Sequence, residues 1–150
     1  MSKPGYPIWW EDTITIYNKF EDAQTNVVSW FKTVIDDCFW QLTGTEVNIG
    51  DTALNGKSIV CRIPKDDRYK DKSEWIKIPN DQMKNYFTLG QGDIIVKGNC
   101  DFVINEYQEG QRSTDLLAQY QEYQQCFSIS QYSDNTGLGR NNEHYLARGK

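Results

Sequence analysis

The alternation of apolar and polar residues along the chain predicts a protein built mainly of β-strands. Its longest apolar-rich run between two turn signals covers residues 89–106, LGQGDIIVKGNCDFVINE. β-Branched and aromatic residues at period two are typical of strands, and no helix fits two glycines at this spacing. We predict that this run forms the central ladder of the domain, with Gly98-Asn99 as a hairpin turn or a β-bulge.

The same pattern predicts strands on both sides of this ladder. Residues 12–20 alternate clearly, with Ile14 and Ile16 on one face. Residues 27–41 are rich in strand-forming types, although a helical period fits them as well, and Asp36-Asp37 indicates a turn within them. The other predicted strands are residues 57–63, 76–78, 126–132 and 144–148.

One helix and several loops complete the predicted fold. Residues 112–125 can form a helix that Ser113 or Thr114 caps, with Asp115 in the first turn and an apolar stripe. A single helical turn can follow Pro79. The stripe consists of Leu116, Leu117, Tyr120 and Tyr123; residues 42–56 and 64–75 are predicted loops, 133–139 a turn, and 1–8 a flexible N-terminal arm. The chain is predicted to be a single domain, residues 1–150.

The charge and cysteine content restrict the function classes. Lys and Arg number 16 against 21 Asp and Glu, so the formal net charge is −5. Proteins that grip nucleic acid need a basic footprint, whereas an acidic protein can let DNA pass without holding it. Four cysteines lie far apart without a C-x-x-C pair, which predicts buried free thiols in a reducing compartment: Cys38, Cys61, Cys100 and Cys126.

Sequence motifs predict neither an enzyme nor a membrane protein. His144 is the only histidine, and no spacing of Cys and His suits a metal. No nucleophile-elbow, phosphate-loop or zinc-protease motif occurs, so no cofactor is expected. The chain shows no secretory signal and no apolar run near the ~20 residues that a membrane span needs. We predict a soluble protein made in a cytoplasm.

Two groups of residues are candidates for contacts with partners. Residues 65–72 alternate in charge, which is typical of a solvated loop but also of one that orders on meeting a partner. Adjacent Trp side chains at the first strand, and other Trp along the chain, can supply interface anchors. The loop candidates are Lys65, Asp66, Asp67, Arg68, Tyr69, Lys70, Asp71 and Lys72, and the aromatic candidates are Trp9, Trp10, Trp30, Trp40 and Trp75.

Several short motifs in order resemble a family of small phage proteins encoded among the head-to-tail joining genes of long-tailed bacteriophages of gut and other Gram-positive bacteria. They are ITIYNKF at 14–20, TVIDDCFW at 33–40, SIVCRIP at 58–64, GDIIVKG at 92–98, FSISQYSDNTGLG at 127–139 and HYLARGK at 144–150. These proteins are similar to head-completion or head–tail stopper proteins. The resemblance implies a small β-barrel or sandwich with one short helix and extended loops.

The resemblance also implies a function in the virion neck. Copies of a stopper form a ring below the portal and its adaptor protein, retain the packaged DNA and present a surface to the tail proteins, with no catalytic residues. DNA passes such a ring without specific binding, which agrees with the acidic charge. Three alternatives remain open: an adaptor, tail-completion or minor capsid protein of the same assembly, a β-barrel module that binds a ligand or peptide through aromatic residues, and an enzyme.

Overall fold

Six antiparallel strands close into a β-barrel. The computed structural model describes residues 3–43, 46–49, 52–55, 58–137 and 143–150. The strands are β1 (Asp12–Glu21), β2 (Val28–Thr43), β3 (Glu46–Ile49), β4 (Thr52–Asn55), β5 (Ser58–Pro64), β6 (Ile94–Lys97), β7 (Cys126–Asn135) and β8 (His144–Gly149). The barrel order is β1-β2-β5-β8-β7-β6, and pairing of β6 with β1 closes it. The predicted mainly β fold with a barrel is therefore confirmed.

The strand β2 is continuous and contributes to two strand pairs. Its first part pairs with β1 and its last five residues pair with β5. The turn predicted at Asp36-Asp37 is instead a bulge, because these two residues lie opposite the single residue Thr13. Asp37 takes a left-handed backbone conformation with φ of 62°. Thr13 Oγ1 donates a hydrogen bond of 2.8 Å to Asp36 Oδ1 and fixes the bulge to β1.

The barrel interior is filled by its own side chains. Inward-facing aliphatic and aromatic residues of all six strands pack together, with further residues from the connection between β5 and β6. Interiors of this kind are packed as densely as organic crystals, so a molecule could enter only by displacing side chains. The cluster comprises Ile14, Ile16, Ile35, Cys38, Trp40, Ile59, Cys61, Ile63, Phe87, Leu89, Ile95, Phe127, Ile129, Tyr145 and Ala147.

A second apolar cluster lies outside the barrel. The outward-facing side chains of β1 and β6, among them Tyr17 and Ile94, are covered by residues 99–123. Helix α2 (Ser113–Tyr120) supplies the fully buried Leu116, and a 3-10 turn (Gln121–Tyr123) follows it. Both faces of β1 are therefore buried from Ile14 to Asn18, including the polar side chains of Thr15 and Asn18. The helix prediction is confirmed in position, but Tyr123 points to solvent.

The central ladder predicted at residues 89–106 is shorter than expected. Only Ile94–Lys97 forms a strand, since Gly98 at φ of 91° turns the chain away from the sheet. Beyond Gly98, Cys100 and Ile104 keep the period of two and pack onto the outer face of the barrel. This segment does not pair with any of the described strands. Neither the predicted hairpin nor a bulge within one long strand is present there.

Three further boundaries differ from the predictions. Residues 42–56, predicted as a loop, contain the paired strands β3 and β4, whereas the linking residues 44–45, 50–51 and 56–57 lie outside the described residues. Residues 76–78, predicted as an edge strand, form a turn after the short helix α1 (Lys72–Trp75). Strand β7 continues to Asn135, into the turn predicted at 133–139, of which residues 138–139 are not described.

All four cysteines are buried as free thiols, as predicted. Burial and the neighbouring Cys61 raise the pKa of Cys38, and burial raises the pKa of Cys126 to about 11. Both thiols therefore stay protonated and unreactive near neutral pH. Among the described helices, none is long and apolar enough to cross a membrane.

We expect Gly149→Ala to destabilise the barrel. A Cβ atom at this position would overlap the backbone carbonyl oxygen of Ser128 and lie 2.7 Å from Phe127 Cδ2. Overpacking of this kind costs about 1–3 kcal/mol in the free energy of unfolding, which urea denaturation measures. The exposed neighbour Lys150→Ala is the control, and equal unfolding midpoints for both variants would contradict the packing described here.

Candidate functional site

Residues 65–89, between β5 and β6, close one end of the barrel. Tyr69 stacks on Tyr145 with ring centroids 4.0 Å apart and packs against Phe87 at 5.7 Å. The backbone of Phe87 accepts a hydrogen bond from Lys70 and donates one to Arg68. Burial raises the pKa of Tyr69. The segment predicted as a solvated loop is therefore anchored at its middle to the barrel core.

Helix α1 fastens the same segment to β1 and β2. Its last residue, Trp75, is fully buried and meets Phe20 and Phe31 edge-on at 6.1 and 5.8 Å. Lys72, one turn earlier, places its ammonium group 4.8 Å from the Trp75 ring. Truncating such a buried Trp typically costs about 3–5 kcal/mol, so Trp75 dominates the attachment of this segment.

A buried carboxylate lies where β6 begins. Asp93 is 1% exposed and accepts hydrogen bonds from Asn18 Nδ2 at 2.9 Å and from the backbone N–H of Lys19 at 3.0 Å. Lys72 Nζ lies 3.7 Å from Asp93 Oδ2 and donates to the backbone oxygen of Lys19 at 3.2 Å. The pairing of β6 with β1 ends at Tyr17. Beyond it, Asp93 accepts the hydrogen bond of the Lys19 N–H, and Lys72 donates one to the Lys19 backbone oxygen, so both backbone groups have partners.

Asn18 extends the network into the barrel. Its Nδ2 donates to the backbone oxygen of Thr88 at 2.7 Å, and its Oδ1 accepts from the Thr88 N–H at 3.2 Å. Burial raises the pKa of Asp93, although Lys72 and the hydrogen bonds act in the opposite direction. A buried charge with these partners holds β1, α1 and β6 in one arrangement.

A surface cleft opens beside this network, and we call it the Asp93 cleft. Its volume is about 430 Å³. Phe20, Ala23 and Ile76 give it apolar walls, while its charges balance, with Lys19 and Lys72 against Glu21 and Asp93. Such a mixture suits an aromatic or apolar side chain. The cleft is lined by Lys19, Phe20, Glu21, Ala23, Lys72, Ile76, Gln91 and Asp93.

The candidate loop residues divide between the cleft, the core and the surface. Lys72 reaches the cleft and Tyr69 the core, whereas Lys65, Asp67 and Asp71 are exposed. Asp66 binds Arg68 through a salt bridge of 2.8 Å. Partial burial acts to raise the pKa of Asp66, but the Arg68 guanidinium and N–H lower it below its usual value. The exposed face of the loop therefore carries both signs of charge, with Asp67 and Asp71 acidic and Lys65 and Arg68 basic.

Most of the predicted interface aromatics belong to the interior. Trp10, Trp40 and Trp75 are buried, and Trp30 is half-buried against the outer cluster. The prediction that these side chains are available as surface anchors is wrong for the three buried ones, because they already pack within the chain. Only Trp9, at 63% exposure, is largely free of the protein's own contacts.

The N-terminal segment presents Trp9 from an anchored backbone. Trp10 stacks on Phe39 with centroids 6.2 Å apart and meets His144 edge-on. The Tyr6 hydroxyl donates to the backbone oxygen of Glu143, and Lys3 Nζ donates to the backbone oxygen of Lys65 at 2.6 Å. Residues 3–8, predicted as part of a flexible arm, therefore contact the barrel.

Asn18 and Asp93 are not among the site residues that the sequence predicts. One signal was present: Asn18 follows Ile14 and Ile16 at period two, so it faces the core and needs polar partners. Nothing in the sequence indicates that Asp93 is that partner, since the two residues lie 75 positions apart. Among the described residues, no group of three or more His, Cys, Asp or Glu side chains could hold a metal ion.

We expect Asp93→Asn to change how stability depends on pH. Folding raises the pKa of Asp93, so this group contributes stability below its ordinary value of 3.8 and loses it as pH rises through the folded value. The free energy of unfolding of the wild type, minus that of Asp93→Asn, should therefore increase as pH falls from 7 to 4 in urea titrations. The uncharged cleft substitution Gln91→Ala is the control, and a pH-independent difference for Asp93→Asn would contradict the raised pKa.

Comparison with known proteins gives a family assignment. The model of a family of unknown function, DUF6751, matches residues 9–150. No curated protein and no solved structure matches the chain. The family match begins at Trp9 and spans all six barrel strands, residues 65–89 and the Asp93 cleft. Because it covers nearly the whole chain, this protein belongs to the DUF6751 family.

Proposed function

We propose that this protein is a structural component of the bacteriophage neck, a ring-forming head–tail stopper that retains packaged DNA and joins head to tail. The observation that carries the proposal is the filled and closed barrel. Its interior is occupied by residues such as Phe127 and Ile95, and Tyr69 and Phe87 close one end. Partners must therefore bind to the outer surface of the barrel and its loops, which suits a protein whose partners are other proteins.

The sequence motifs support the neck in particular. Their order along residues 14–150 resembles that of phage head-to-tail joining proteins, and the closed barrel agrees with the fold which that resemblance implies. The formal net charge of −5 suits a ring through which DNA passes, because like charges repel the phosphates.

The exposed side of residues 65–72 is the candidate surface for the channel or for a neighbouring protein. Asp67 and Asp71 face solvent, while Tyr69 and Lys72 hold the loop from below. A loop with fixed anchors presents its charges in one arrangement, which reduces the entropy lost on binding.

An adaptor, tail-completion or minor capsid protein of the same assembly is the second candidate. The filled barrel supports it equally, because each of these also acts through protein contacts. A module that binds a ligand in an aromatic pocket is less well supported, since Phe127, Phe87 and Trp40 occupy the interior themselves.

We expect this protein in purified particles of the phage that encodes it, at a low, ring-like copy number by quantitative mass spectrometry. Deleting its gene should give separated heads and tails, with heads that lose their DNA. Heads that keep their DNA but fail to join tails would contradict the stopper role and indicate a tail-side completion protein instead. Absence from the particle would overturn the neck proposal.

We expect the double substitution Asp67→Ala and Asp71→Ala to reduce DNA retention severalfold without unfolding the protein. Deleting residues 66–72 is a poorer test, because it also removes the anchors Tyr69 and Lys72. A matched control removes two exposed acidic residues elsewhere, Asp101→Ala and Glu109→Ala. Retention is measured as nuclease-protected DNA per head, and equal retention in both variants would exclude a specific role of the loop.

A further inference from the structure

We infer that copies of this chain join head to tail, with Ile8 and Trp9 of one copy entering the Asp93 cleft of the next. This inference rests on the proposed function, because it supplies the contact between neighbouring subunits of the ring. We call Ile8 and Trp9 the knob.

The knob is an exposed apolar pair on a fixed support. Ile8 is 76% exposed and Trp9 is 63% exposed, although both are large apolar residues. Tyr6 and Trp10 on either side of them are held by the barrel through Glu143 and Phe39. A Trp presented by an ordered backbone is typical of a binding hot spot, since little conformational entropy is lost when it is buried.

The Asp93 cleft has the size and chemistry to receive this side chain. Its volume of about 430 Å³ exceeds that of the groove beside Leu42 and Ile59, about 220 Å³. Phe20, Ala23 and Ile76 offer apolar contacts. The larger groove along β7 is lined mainly by polar side chains such as Ser130, Gln131 and Ser133, which match an indole poorly.

Charge affects the orientation of the knob in the cleft. Between residues 4 and 11 the only charged side chain is Glu11, which is exposed two positions after Trp9. At the cleft, Lys19 and Glu21 are both exposed, so Glu11 would be attracted by the first and repelled by the second, whereas Lys72 is already engaged by Asp93. A Trp9 ring inside the cleft would bring Glu11 toward Lys19, and this pair would orient the contact more than strengthen it.

Position along the chain makes the contact intermolecular. The knob precedes β1 and the cleft lies at the end of β1, so the ten residues of this strand separate them by about 30 Å. Trp9 therefore cannot fill the cleft of its own chain. A contact between two different surfaces of identical copies is heterologous, and it repeats from copy to copy into a ring if the rotation between neighbours closes.

Mixing two single-defect variants tests this directly. Trp9→Ala removes the knob and keeps the cleft, whereas Ala23→Arg blocks the cleft and keeps the knob. In sedimentation velocity at high concentration, the wild type should form species larger than dimers, and each variant alone should stay monomeric. Their mixture should give one-to-one dimers and nothing larger. Tyr123→Ala, which removes an equally exposed aromatic residue (69%), should behave like the wild type.

Cysteine trapping detects association that is too weak for sedimentation. The four native thiols are buried, so they do not compete with the introduced ones. Glu11→Cys in one copy and Lys19→Cys in another keep Trp9 and the apolar walls of the cleft, and they should form a disulfide-linked dimer under mild oxidation by oxidised glutathione, which is reduced as the two thiols lose their hydrogens. Glu11→Cys mixed with Gln119→Cys, on the exposed side of α2, is the control. Equal trapping in both mixtures, or a monomeric wild type together with no trapping of the Glu11→Cys and Lys19→Cys mixture, would overturn the contact.

The two proposals can fail separately. If the protein is absent from phage particles but the specific trap forms, the neck assignment fails and the contact stands. If the protein is present at a ring-like copy number and Trp9→Ala leaves particle assembly unchanged, the contact is overturned and the neck assignment stands.

Discussion

A carboxylate buried at the start of β6 holds together the parts of the chain that meet at one end of the barrel. Asp93 binds β1 through Asn18 and the Lys19 N–H, and it binds α1 through Lys72. Leaving a buried charge unpaired costs several kcal/mol, so these partners must all be in place at once. The Asp93 cleft and the anchored loop exist because this network fixes the segments around it.

The two apolar clusters determine which surfaces remain for binding. One fills the barrel, and the other covers the outer face of β1 and β6 beneath residues 99–123. Exposed large apolar residues are therefore found mainly outside the strands or near their ends, as at Ile8, Trp9 and Ile76. The surfaces that remain for contacts with other molecules are therefore the loops and the ends of the strands.

Local patterns predicted the strands better than they predicted the site. Period two located β1, β5 and β8 to within a few residues, because each has an inward face that must be apolar. It failed beyond Gly98, where the chain leaves the sheet but keeps alternating as it packs onto the barrel. The burial of Tyr69 could not be predicted from its charged neighbours, because it depends on Tyr145, 76 residues away in β8. Asp93 and Asn18 likewise meet only in the folded chain, and no local pattern encodes such pairs.

The bulge at Asp36-Asp37 has a consequence for every residue of β2 that follows it. Ile35 faces the interior, and strict alternation from there would turn Asp37 and Phe39 inward. The extra residue shifts the phase by one position, so Cys38 and Trp40 enter the core instead. A single deletion at this point would exchange the inner and outer faces of the second half of the strand, turning the Trp40 ring away from Phe127 and toward water. The inward or outward orientation of each side chain in the second half of β2 therefore depends on one left-handed aspartate.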